Sequence, residues 1–160
     1  MHGREPTTIP LSTEAVRANL LRLETEWEMV QESRDRDAIY GYLTTVFELV
    51  VCWAKEGKAV KRACRALYLR RHHSEREPKP FAAVILCTAD RGKLDDRMRS
   101  KWSRVLRYAA EYKDLDEPLR DFIKRKGGIN ECASRFARRL GRGRPDRAGM
   151  PRVNRSASPL

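Results

Sequence analysis

Near its C-terminus the chain places arginine where a helix can present it. Arg135, Arg138 and Arg139 follow one another at helical spacing, with Asn130 ahead of them and Lys124 and Lys126 just upstream. Arg142, Arg144 and Arg147 continue the run. A guanidinium can grip two phosphate oxygens, or the two acceptors of a guanine edge, through parallel hydrogen bonds. These nine residues are the candidate nucleic-acid contacts. Other clusters promise less chemistry. His72 and His73 are adjacent, so on a helix they point about 100° apart and suit joint metal binding poorly. The cysteines at 52, 64, 87 and 132 include no close pair of the kind a structural zinc uses. Asp95 and Asp96 could hold a cation, but stabilisation of a helix start explains them more simply. No Ser, Cys or carboxylate stands with a His in a known catalytic motif, and there is no phosphate loop. The expectation is no catalytic residue, no metal, no cofactor and no enzyme.

Two local patterns resemble known DNA-binding devices. Residues 118–140 carry helix, tight turn and helix punctuation around Gly127, with Ile123, Ala133 and Phe136 spaced to pack the two helices. This resembles a helix-turn-helix unit, whose second helix lies in the major groove. Gly128 departs from it, because an apolar residue is usual there. The same residues also fit a plain helical hairpin that closes a bundle. Arg142-Gly143-Arg144-Pro145 resembles the core of the AT-hook family. That resemblance implies an extended core in the narrow minor groove of A·T-rich DNA, where arginine meets enhanced negative potential. It covers four residues. Gly141 stands where a proline usually precedes the core, and Asp146 replaces a basic residue. A generic basic tail fits as well. The stretches over 101–108 and 122–130 are similar to small basic proteins of soil alphaproteobacteria that carry no assigned function. That similarity, over residues 38–142, implies a bacterial cytosol and no activity.

Charge supports a polyanion-facing end. Across 160 residues, 34 Lys and Arg oppose 22 Asp and Glu, a net of +12. Residues 1–54 carry −4, whereas residues 119–160 carry +9. An acidic first third and a basic last quarter read as a globular support with a basic contact surface. The bland alternative is a charge excess that only maintains solubility. With 41% hydrophobic and 35% charged residues, the chain is too apolar to be wholly disordered and too charged for a membrane protein. The longest apolar runs, 49–54 and 81–87, are far below membrane-span length. Residues 1–10 lack a signal-peptide core, so a reduced, cytoplasmic (in a bacterium, nucleoid-associated) location is expected.

Helices must position these residues. The spacing predicts an all-α compact bundle of five to seven helices over 12–141, between a flexible lead over 1–11 and a disordered basic tail over 142–160. Ser12 or Thr13 is expected to cap the first helix, whose stripe is Val16, Leu20, Leu23, Trp27 and Val30. Asp37 is expected to cap a second, central helix lined by Ile39, Leu43, Val46, Val50 and Trp53. Val60, Ala63, Cys64 and Leu67 mark a third, and Phe81, Val84, Ile85 and Thr88 a short fourth after Pro80. A fifth presents Leu94, Met98, Trp102, Val105, Ala109 and Tyr112, with the basic row Arg97, Lys101 and Arg104 off that face. The core is the better home for Trp102 than a base-stacking role. A sixth helix opens at Pro118, and a seventh, capped by Asn130, ends at Gly141. Cys52, Cys64 and Cys132 are expected to be buried.

The function expected from these features is DNA binding, regulatory or nucleoid-associated, by the basic last helix and the arginine tail. The alternative is a protein-interaction module, its partner meeting the acidic N-terminal region or an exposed part of the 16–30 stripe. RNA binding is a third reading with the same charge signature.

Overall fold

The computed structural model describes residues 11–89 and 92–142, and its regular elements there are seven α-helices with no strand. Four helices form the first part of the bundle: α1 (Leu11–Glu32), α2 (Ala38–Lys55), α3 (Ala59–Leu69) and α4 (Pro80–Thr88). Three follow: α5 (Asp96–Tyr112), α6 (Leu119–Arg125) and α7 (Ile129–Arg142). The all-α expectation holds, and the helical region runs one residue beyond each expected boundary.

The apolar stripes account for the packing. Val16, Leu20, Leu23 and Trp27 on α1 are buried and Val30 packs against them. The bundle therefore consumes four residues of the stripe, and Val30 stays partly exposed beside an open cleft. α2 buries Tyr42, Leu43, Val46, Phe47, Val50 and Trp53, and it touches every helix except α7. α4 is buried on most sides between α1, α2, α3 and α5. Trp27, Tyr42 and Trp102 form an aromatic cluster with ring centroids 5.3, 5.9 and 6.4 Å apart, placing Trp102 in the core. The Tyr42 hydroxyl meets Thr88 Oγ1 at 2.6 Å, so this buried phenol is hydrogen-bonded, and burial holds its pKa well above the ordinary value.

Several local expectations are corrected. Ser12 and Thr13 lie inside α1 rather than capping it, because the helix already begins at Leu11. Asp37 occupies the N-cap position of α2 but caps nothing with its side chain, which turns instead to α6. Asn130 lies within α7, which starts at Ile129, and Gly141 does not end that helix. Cys52 and Cys64 are exposed, since the buried faces of α2 and α3 pass through Trp53, Ala63, Ala66 and Leu67 instead; Cys87 and Cys132 are buried. Val60, Met98, Tyr112 and Leu140 are exposed as well, each at the edge of its helix's apolar face. Asp95 does cap α5, accepting a 2.7 Å hydrogen bond from the Met98 amide.

Candidate nucleic-acid interface

The α6–α7 connection is a glycine-capped turn. Gly127 has φ +103°, a backbone region that favours glycine. The Gly128 amide donates to the Ile123 carbonyl at 2.8 Å and the Gly127 amide to the Lys124 carbonyl at 3.2 Å. These are the paired bonds of a Schellman cap, which end α6 and release the chain into α7. A side chain at Gly127 would also crowd Glu131, whose Cγ lies 3.0 Å from the ideal Cβ position. The turn thus fits the expected hairpin.

α7 packs only against α5 and α6 among the described residues. Cys132, Ala133 and Phe136 are its buried side, and burial pushes the Cys132 thiol up. α5 and α7 run in the same direction. Lys101 shares a shallow cleft with Ile129 and Asn130, Arg107 lies over the Phe136 ring at 4.7 Å, and Arg139 pairs with Glu111. Lys101 of the α5 basic row therefore lies beside the start of α7, a placement the sequence could not show.

The opposite face of α7 carries Glu131, Ser134, Arg135 and Arg138 at i, i+3, i+4 and i+7, all away from the core. Glu131 Oε1 accepts from Arg135 Nε at 2.9 Å and from Arg138 Nη2 at 3.1 Å. Arg135 beside it holds the Glu131 carboxyl below its ordinary value, against a smaller opposing effect of desolvation. The Arg135 guanidinium is held above its own, first by Glu131 and then by the Tyr108 hydroxyl. Arg139 also stacks over Tyr112 at 5.3 Å.

A second shared carboxylate lies at the foot of α6. Asp37 Oδ2 accepts from Arg120 Nη2 at 2.6 Å and from Lys124 Nζ at 2.8 Å. Lys124 also lies over the Tyr40 ring, at 5.6 Å. Its hydrogen bond is the largest reason that the Asp37 carboxyl is held below its ordinary value. Lys126 sits 6.0 Å over the Phe122 ring and has no ion pair among the described residues. Arg125 is bidentate to Glu117, at 2.8 and 2.9 Å.

The structure thus brings Arg135, Arg138 and Arg139 onto one exposed helix and places Lys126 and Asn130 at its start. It draws Lys124 down to Asp37. Arg142 ends α7; Arg144 and Arg147, with the rest of the Arg-Gly-Arg-Pro core, lie outside the described residues. Glu131, at the start of the outward face, is the residue whose importance the arginine pattern hid, although Glu at i with Arg at i+4 is a readable pairing signal. Comparison with protein-family models, curated proteins and solved structures finds no match to this chain.

Proposed function

We propose that this protein binds nucleic acid, duplex DNA in preference to RNA, through the outward face of α7 and the basic flank of the α6–α7 turn. One observation carries the reading: Arg135 and Arg138 share a single carboxylate oxygen on a helix that, among the described residues, packs against two neighbours. One carboxylate balances one of two positive charges, so the fixed pair retains a net positive charge. Over residues 119–142 eight basic side chains face two acidic ones. A row of this kind suits phosphate oxygens, which position a protein on DNA, more than base edges. Engagement of both guanidinium groups by Glu131 favours phosphate contact over direct reading of guanine. Arg142, Arg144 and Arg147 would extend the contact into the adjoining minor groove. A regulatory or nucleoid-associated role follows from that mode of binding.

The test is a gel-shift series with duplex DNA, single-stranded DNA and RNA of equal length at several salt concentrations. Tightest retention of the duplex, weakening steeply with salt, is expected. Binding to none of the three at low salt refutes the proposal.

A further inference from the structure

Three helices here end in the same hydrogen-bonded cap, and one of them breaks the pattern. After α2, Gly57 takes φ +67°, and the Lys58 amide donates to the Trp53 carbonyl at 2.9 Å. After α6, Gly127 does the same work. After α3, the His72 amide donates to the Leu67 carbonyl at 2.9 Å and the Arg71 amide to the Tyr68 carbonyl at 3.1 Å. The residue in the left-handed position is now Arg71, at φ +57°, the only described non-glycine residue with positive φ. An arginine there crowds its own Cβ against the backbone, which glycine avoids. Residues held in such strain cluster where a ligand is bound.

Arg71 lines an open cleft of about 580 Å³ between the end of α3 and the linker that follows. That volume is in the ordinary range of small-molecule sites. Tyr68 contributes an aromatic ring and is 76% exposed, the most exposed aromatic among the described residues. Arg76 enters from the linker, whose turn is held by the Ser74 hydroxyl donating to the Arg76 carbonyl at 2.7 Å. His73 adds an imidazole. No described lining residue is a carboxylate, and neither Arg71 nor Arg76 has an ion pair among the described residues. The contrast with α7 is direct, because there Arg135, Arg138 and Arg139 are each paired with a glutamate.

We infer that this cleft binds a nucleotide, with the base stacked on Tyr68 and the phosphate held by Arg71 and Arg76. An exposed ring offers a π-face that any base can use, and a guanidinium offers paired donors to phosphate oxygens. The ligand is either a free nucleotide or one nucleotide unit of a single strand, since the two share this chemistry. The inference stands apart from the α7 reading.

Isothermal titration of the full chain with AMP and with a short oligo(dA) tests it, beside thermal melting. Arg71→Gly is the decisive variant. It relieves the strained backbone, so it should melt about 2–4 °C higher than the parent while AMP binding falls at least tenfold. Arg71→Lys keeps the charge and should bind within about tenfold of the parent. Tyr68→Ala should weaken AMP about tenfold and leave the binding of inorganic phosphate unchanged. AMP should also protect Cys64, which lines the cleft, from alkylation, but not Cys52, which is exposed outside it. With the α7 face removed by Arg135→Ala and Arg138→Ala, tighter binding of oligo(dA) than of AMP assigns the cleft to single strands, and equal binding assigns it to free nucleotides. Failure of both ligands to bind overturns the inference. So does AMP binding that Arg71→Gly leaves intact, or that falls together with the melting temperature, which would make Arg71 a residue of the fold. Arg135→Ala with Arg138→Ala should leave the AMP titration unchanged, which separates this site from α7.

Discussion

Phe136→Ala asks whether α7 is held by the contacts that place its arginines outward. Phe136 is 2% exposed, packs in the α5–α6–α7 core, and carries the Arg107 guanidinium on its ring. Removing a buried Phe ring costs about 3–5 kcal/mol through lost transfer energy and the cavity left behind. The half-exposed Arg107 contact adds less than about 1 kcal/mol. A total near 4 kcal/mol, with a urea m-value of about 2 kcal/mol/M, moves the denaturation midpoint down by about 2 M. The assay is urea unfolding followed by circular dichroism at 222 nm. Leu140→Ala is the control, because Leu140 is 50% exposed on the same helix and should shift the midpoint by less than about 0.3 M. Among the described residues α7 has only α5 and α6 as neighbours, so its detachment ahead of the rest would appear as a lowered m-value. A Phe136→Ala midpoint within about 0.5 M of the parent would refute the packing, and with it the assignment of the outward face.

Other outcomes follow from the carboxylates and the thiols. Glu131→Gln removes the negative charge shared by Arg135 and Arg138, and should tighten duplex binding about fivefold at low salt, measured by fluorescence anisotropy. Asp37 is held below its ordinary value of 3.8, so its stabilising effect is complete above that value and is lost as pH falls through the lower folded value. Acid unfolding of Asp37→Asn should therefore show a weaker dependence on pH than the parent across that window, while the two converge at the acid end. Cys52 and Cys64 should react rapidly with an aromatic disulfide reagent, and Cys87 and Cys132 only on unfolding, because the latter two are buried. For Cys87 burial also pushes the thiol up to about 12.

Periodicity made much of the fold readable. The spacing of Val16, Leu20, Leu23 and Trp27 specifies one buried face, and no other placement of α1 hides all four. Gly127 was legible as a turn because only glycine suits its φ. What the pattern does not carry is which distant residue a charge will meet. Asp37 looked like a cap by position, yet Lys124, 87 residues away, competes for its carboxylate. The burial of Cys52 and Cys64 was misjudged for a related reason. Both border apolar faces, and a rotation of about 100° per residue separates core from solvent. At the candidate interface, the exposure of Arg135 and Arg138 followed from the packing of Phe136 on the other side. The neighbourhood of Lys101 and Asn130 depends on α5 and α7 running in the same direction, which their connection through α6 leaves open. Arg71 gave no warning at all, because the usual sign of a left-handed cap is the glycine it replaces.

The most direct test of nucleic-acid binding is the salt dependence of duplex affinity, parent against Arg135→Gln with Arg138→Gln. Fluorescence anisotropy with a labelled duplex, between about 50 and 200 mM salt, gives the slope of log K against log salt concentration, roughly 0.9 for each phosphate contact. The parent should show a slope steeper than about −3, and the double variant a slope shallower by about 1 to 2, with weaker binding and an unchanged circular dichroism spectrum. An identical slope and affinity in the two proteins, or a parent slope near zero, would contradict the assignment of the α7 face to phosphate.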